Sequence, residues 1–151
     1  MNVSDICKRN VVTIHPKQTL VAAIELMREK HIGYLIVTDS QTSNNPQTPV
    51  GVLTDRDIVV GVLARGADVR GLSVDEVMTR KPVVVHDNDA VRSALKEMRR
   101  IGARRLPVVD SNGQLAGVLA LDDIFASIAE FIADAAEAVQ QEQRLESALR
   151  P

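Results

Sequence analysis

The most chemically suggestive stretch of this 151-residue chain is Gly51-Val52-Leu53-Thr54-Asp55-Arg56-Asp57-Ile58. A strand-like run ends at Leu53 or Thr54 and passes at once into a helical pattern. A helix start presents backbone N–H groups and the positive end of a dipole, which suit a phosphate. Thr54 can donate or accept there, and Asp57 is an acceptor able to take both hydroxyls of a ribose. A carboxylate repels phosphate, so a nucleotide would be sorted, with ribose at Asp57 and phosphate toward Arg56 and the helix start. Gly51 would let backbone or ligand approach closely. The same residues have a second reading: Thr-x-x-Asp before an apolar helix is close to a capping box, with Thr54 as N-cap and Asp57 at N3. Both readings stand together, because a cap faces the helix end that a ligand would use.

A second candidate is Arg104-Arg105-Leu106-Pro107, at the entry of an apolar strand. Neighbouring strand residues point to opposite faces, so both arginines cannot point inward. Either the pair is a solvated edge, or one arginine lines a cleft and meets an anion. Catalysis finds little support. His15 and His86 occupy equivalent places just after a strand and read as structural, His31 reads as packing or a helix C-cap, and Cys7, beside Val3 and Ile6, reads as a small buried hydrophobe. The sequence has no Gly-x-Ser-x-Gly elbow, no phosphate loop ending in Gly-Lys-Ser/Thr and no His-Glu-x-x-His. No catalytic residue and no metal ligand is assigned.

The elements that must position these residues come from a duplication. Val3–Ser40 lies over Val74–Ser111 at an offset of 71, matching Val12 to Val83, His15 to His86, Met27 to Met98 and Val37 to Val108. Past the loop Ser40–Pro49 the offset falls to 66, and GVLTDRDI at 51–58 lies over GVLALDDI at 117–124. The first copy therefore carries extra residues in a polar loop, read as a tolerated exposed insertion. Each copy predicts the same series. A short helical turn (Ser4–Lys8; Val74–Met78) precedes a β-branched strand (11–14; 83–86). An amphipathic helix follows, carried by Leu20, Ile24, Met27 and His31 with Thr19 as N-cap, or by Val91, Leu95, Met98 and Ile101 with Asn88 or Asp89 near the cap and Gly102 at the end. Two strands come next (Tyr34–Thr38 and Val50–Thr54; Leu106–Asp110 and Gln114–Ala120), then a helix from near Asp55 or Leu121. The expected organisation is repeat 1 over 1–65, a linker over 66–73, repeat 2 over 74–124 and a helical extension over 125–151. In that extension Phe125, Ile128, Ile132, Ala135 and Val139 step by threes and fours, and Leu145 and Leu149 continue after a phase shift. It packs along its own domain or pairs with another subunit, and its polar end, QQEQRLES, favours the second.

Composition narrows the classes. The chain has 18 Lys plus Arg against 20 Asp plus Glu, a formal net charge of −2, and only Tyr34, Phe125 and Phe131 as aromatics. That argues against nucleic-acid binding, which wants a basic face and stacking rings. One cysteine forms no internal disulfide, no signal peptide is evident, and no apolar run approaches the roughly 20 residues of a membrane span. A cytoplasmic protein without a membrane partner is expected.

These residues carry a family resemblance. VMTRKPVVV at 77–85, IGYLIVTD at 32–39, ARRLPVVD at 103–110 and the paired GVLTDRDI and GVLALDDI resemble a tandem pair of CBS domains, named after cystathionine β-synthase, over Val3 to Ile124. The resemblance implies an α/β (α+β) fold of two β-α-β-β-α repeats packed with pseudo-twofold symmetry and two clefts between them. It implies a regulatory ligand containing adenosine: AMP, ADP, ATP or S-adenosylmethionine, with no other cofactor. Thr54 and Asp57 would hold the phosphate or ribose side, with adenine against the first strand of the same repeat at Val12, Thr13 and Ile14, and Arg104 and Arg105 reaching the phosphates. A second, weaker site would use Asp123, Val83 and Val84, because Ala120 stands where Thr54 stands in the first copy. A homodimer signalling to an unknown protein effector is expected; the alternative is a dimeric scaffold with degenerate clefts.

Overall fold

The computed structural model describes residues 1–39 and 47–150. Repeat one runs α1 (Val3–Ile6), β1 (Thr13–Ile14), α2 (Leu20–Lys30), β2 (Tyr34–Thr38), β3 (Pro49–Thr54) and α3 (Asp55–Gly61). A 3-10 turn at Leu63–Arg65 follows. Repeat two then runs α4 (Val74–Val77), β4 (Thr79–Arg80), β5 (Val85–His86), α5 (Val91–Ile101), β6 (Arg105–Val109), β7 (Leu115–Ala120) and α6 (Leu121–Leu149). The loop expected over 40–49 lies outside the described residues up to 46.

The repeat is visible in the sheets. β1 pairs parallel with β2 through Ile14 and Val37, and β5 pairs parallel with β6 through Val85 and Val108, 71 residues on. β2 with β3 and β6 with β7 are antiparallel in the same register, Tyr34 opposite Thr54 and Arg105 opposite Ala120, each with a register shift between its last two paired residues, Val37/Thr38 and Val108/Val109. Leu35, Val37 and Leu53 pack in the core of one repeat and Leu106, Val108 and Leu119 in that of the other, while the residues between them on β2 and β6 are buried outside these two cores. Each such leucine contributes roughly 1.5–3 kcal/mol of burial. The long helices cover them: Leu20, Ala23 and Met27 from α2, and Val91, Ala94 and Met98 from α5.

Helix ends follow local chemistry, with one difference from expectation. The Thr19 hydroxyl accepts from the Ala22 N–H at 3.1 Å, and α2 stops at His31 in the left-handed region, φ 54°. α5 stops at Gly102, φ 67°, but starts at Ala90 with no side-chain cap. Asp89 is elsewhere engaged: its carboxylate accepts the His86 N–H at 2.8 Å and closes the turn after β5.

The first strands are shorter than 11–14 and 83–86, because the chain before them crosses to the other repeat. Val3 of α1 lies in the core of repeat two, with Val85, Val91 and Ile124, and Val74 of α4 lies in the core of repeat one, with Leu20, Leu35 and Ile58. Lys8 exchanges both backbone hydrogen bonds with Val118 of β7, at 2.9 and 2.8 Å, and β4 pairs with Gly51 and Val52 of β3. The crossing requires glycine in both places. A Cβ on Gly51 would meet Met78 Sδ at 2.5 Å and Thr79 O at 3.0 Å, and one on Gly117 would meet Lys8 O at 2.6 Å.

α6 is a single helix of 29 residues in which only Ile124 is buried. It meets α1 and β7 at its beginning and then leaves the body, so Phe125 and Phe131 are 60% and 68% exposed. It does not pack along its own domain. Among the described residues no helix is long and apolar enough to cross a membrane.

Candidate functional site

Two clefts lie between the repeats, each assembled from the same structural positions. The first, of about 640 Å³, takes Thr54, Arg56 and Asp57 from the β3–α3 junction, Lys81, Pro82 and Val83 from the crossing segment of repeat two, and Gly102 to Arg105 from the α5–β6 junction. The second, of about 320 Å³, takes Ala120, Asp122 and Asp123 from the β7–α6 junction, Lys8 and Asn10 to Val12 from the crossing segment of repeat one, and His31 to Tyr34. Arg105 and Tyr34 line both.

The first cleft brings Thr54, Arg56, Asp57, Arg104 and Arg105 together. The partition of the remaining candidates differs from expectation. Val12 lines the second cleft with Asp123, and Val83 lines the first with Thr54 and Asp57. Adenine against Val12 would thus be apart from Thr54, because the crossing segments hand each first strand's lead-in to the other repeat's helix start. Ile14 is a buried core residue, and Thr13 and Val84 line neither cleft. Gly51 is also absent from both; its missing Cβ admits Met78 and Thr79 of the crossing segment, not a ligand.

The helix start at Thr54 is occupied from within. Thr54 Oγ1 accepts the Asp57 N–H at 3.1 Å, and Asp57 Oδ2 accepts the Thr54 N–H at 2.9 Å, a reciprocal capping box. The Arg56 N–H goes to Asp55 Oδ1 at 2.8 Å and the Asp55 N–H to the Gly33 carbonyl at 3.0 Å. The backbone donors expected to face a phosphate are therefore spent, and α3 is only 7 residues long. What the junction offers outward is the rest of the Asp57 carboxylate, since the cap takes Oδ2, and the Thr54 hydroxyl proton, since the cap uses that oxygen as acceptor.

Both arginines line the first cleft, where alternation along a strand leads one to expect only one; Arg104 precedes β6, which begins at Arg105, so alternation does not govern it. Arg104 pairs with Asp122 at 2.8 Å, both side chains exposed, which limits the worth of the bridge. The Arg105 guanidinium lies 6.0 Å from the centroid of the Tyr34 ring, at the limit for a cation–π contact. Tyr34 and Arg105 are repeat equivalents, so the two meet across the pseudo-twofold axis. The Tyr34 hydroxyl is buried with no hydrogen-bond partner among the described residues. Burial drives its acidity down, raising its pKa well above the usual phenol value, against a smaller opposite pull from Arg105. In the second cleft Asp123 is paired with Lys8 at 3.0 Å, and Ala120 gives α6 no side-chain cap.

Lys81 and Tyr34 are the residues that motif reading missed. Both lie inside the stretches 77–85 and 32–39 that carry the family resemblance but have no chemical role assigned there; the 71-residue offset pairs them with Asn10 and Arg105, and those pairings identify both as cleft positions. Cys7 is half-buried and packed with the core of repeat two, and burial raises its thiol pKa, which fits an inert packing residue. Among the described residues no group of three His, Cys, Asp or Glu side chains is gathered to hold a metal ion.

Comparison with known proteins agrees with this architecture. The family model described as CBS domain matches residues 3–63 and 74–130. An uncharacterized protein of Methanopyrus kandleri is 32% identical over 124 residues, 82% of this chain, and this chain spans 61% of its length. Among solved structures, the hexameric CBS-CP12 protein from bloom-forming cyanobacteria is 30% identical, with a TM-score of 0.72, covering 99% of this chain and 84% of that one. The CBS domain pair of protein MJ0100, solved in complex with 5-methylthioadenosine and S-adenosyl-L-methionine, shares the fold at 23% identity, with a TM-score of 0.73 over 86% of this chain and 97% of that one. With two matched segments, two repeats in one register and two clefts between them, the chain belongs to the CBS domain family as a tandem pair.

Proposed function

We propose that this chain is a regulatory binding module that takes an adenosine-containing ligand, AMP, ADP, ATP or S-adenosylmethionine, in the first cleft and signals by conformational change to a protein partner. One observation carries the reading: the cleft joins Thr54 and Asp57 of repeat one to Arg104 and Arg105 of repeat two. A ligand reaching from Asp57 to the arginines would bridge the repeats and favour one packing of them over another, and it can shift that balance only by its differential affinity. The adenosyl ligands of the MJ0100 pair lend support by analogy of fold. The exposed apolar side chains of α6, among them Phe131 and Ile132, are the surface through which copies or an effector would associate, in the expected homodimer. The role proposed is binding, not catalysis.

A second reading has an observation of its own. Thr54 and Asp57 already satisfy each other in a capping box, as they would in a dimeric scaffold with degenerate clefts. Thermal unfolding with each of the four ligands separates the two, run beside Asp57→Asn, which retains a side-chain acceptor for the cap. A ligand at 100 times its dissociation constant adds about 2.7 kcal/mol. A rise in Tm that Asp57→Asn abolishes supports the sensor, and the same samples in sedimentation should run above the monomer mass. No rise with any of the four ligands overturns the sensor in favour of the scaffold.

A further inference from the structure

We infer that the first cleft selects the polyphosphate of a nucleotide, and that Lys81 is the residue that separates phosphorylated from unphosphorylated or cationic adenosyl compounds. The inference rests on the adenosyl reading above and goes further by naming the ligand's charge class. Four cations line this cleft, Arg56, Lys81, Arg104 and Arg105, against the two carboxylates Asp55 and Asp57. Since the α3 N–H groups are spent on Thr54, Asp55 and Gly33, an anion in the cleft must be held by these side chains.

Lys81 is the distinctive member of the set. Its φ is 50°, in the left-handed region that L residues avoid. The next residue is Pro82, and a residue before proline is steered toward extended backbone, so local sequence gives no reason for this conformation. Strain held at a cleft, with an exposed charged side chain, marks a position fixed by its surroundings. Among the described residues Lys81 makes no ion pair, whereas Arg104 is paired with Asp122. Its equivalent in the second cleft is the uncharged Asn10, where backbone φ is not positive. The four cations outnumber the two carboxylates, so the first cleft repels a sulfonium and attracts a triphosphate, with Lys81 as a cation that no carboxylate among the described residues already engages.

Equilibrium binding of ATP, AMP, adenosine and S-adenosylmethionine to the full chain and to Lys81→Gly tests this. Glycine is at ease at this φ, so the variant should melt no lower than the parent protein. The expected order is ATP, then AMP, then adenosine and S-adenosylmethionine, with ATP affinity falling about tenfold in Lys81→Gly and adenosine affinity unchanged. Unchanged ATP affinity in the variant, an equal loss for adenosine, or S-adenosylmethionine binding tighter than ATP each overturns the inference while the adenosyl reading stands. Failure of all four compounds to bind the parent protein overturns both.

Discussion

The two clefts are built from the same structural positions and differ in charge. Position for position, Thr54 faces Ala120, Arg56 faces Asp122, Lys81 faces Asn10, Arg104 faces Gly33 and Arg105 faces Tyr34, while Asp57 and Asp123 agree. The larger cleft therefore holds an excess of positive charge. The smaller is balanced, with Asp123 tied to Lys8 and a tyrosine ring intruding. The backbone, with its equal registers and equal shifts within them, has been kept, and the side chains at the junctions have diverged. The lesson is that duplication supplies two frames and the frame does not fix the function; charge at a few cleft positions does.

That contrast can be broken most severely where the segments cross. Gly117→Ala should cost about 1–3 kcal/mol, because its Cβ would run into the Lys8 carbonyl, which is backbone locked to Val118. Gly51→Ala should cost less, since the closest obstacle there is the end of the flexible Met78 side chain. Urea denaturation of the two variants checks the ranking, and a larger loss at Gly51 would show that the repeats are not held by equivalent crossings.

A smaller effect sharpens the difference between the helix starts. Thr54→Ala removes the acceptor of the Asp57 N–H and should destabilise by roughly 0.5–2 kcal/mol. Ala120→Thr, with Asp123 waiting at N3, should recover part of that amount in repeat two, as read by melting of both variants. No gain would mean that the Lys8 pairing holds Asp123 away from a cap.

The smallest effect, absent at neutral pH, belongs to the axis residue. The Tyr34 pKa is raised by burial, so the unfolded chain ionises its phenol near pH 10 while the folded chain keeps it neutral. Its contribution is complete below pH 10 and is lost as pH rises above it. As this is the single tyrosine, native phenolate absorbance should lag behind that of the unfolded chain. Tyr34→Phe should flatten the alkaline decline in Tm and leave stability at pH 7 unchanged or higher, because the hydroxyl it removes is unpartnered.

Sequence alone determined the duplication, the main series of elements apart from β4, the capping-box pattern at Thr54 and Asp57 and the stop at Gly102. All of these are written in local spacing: apolar periods, cap residues and one offset between copies. Sequence could not reveal that residues before the first strand of each repeat leave it for the other, since backbone pairing of Lys8 with Val118 depends on no motif. For that reason local spacing groups Val12 and Val83 with the wrong helix starts, leaves Gly51 open between a backbone and a ligand neighbour where the structure supplies the backbone of Thr79, and gives Lys81 no role. Only the tertiary structure decided which junction faces which crossing segment, because a cleft is defined by residues distant in the chain and brought together by packing.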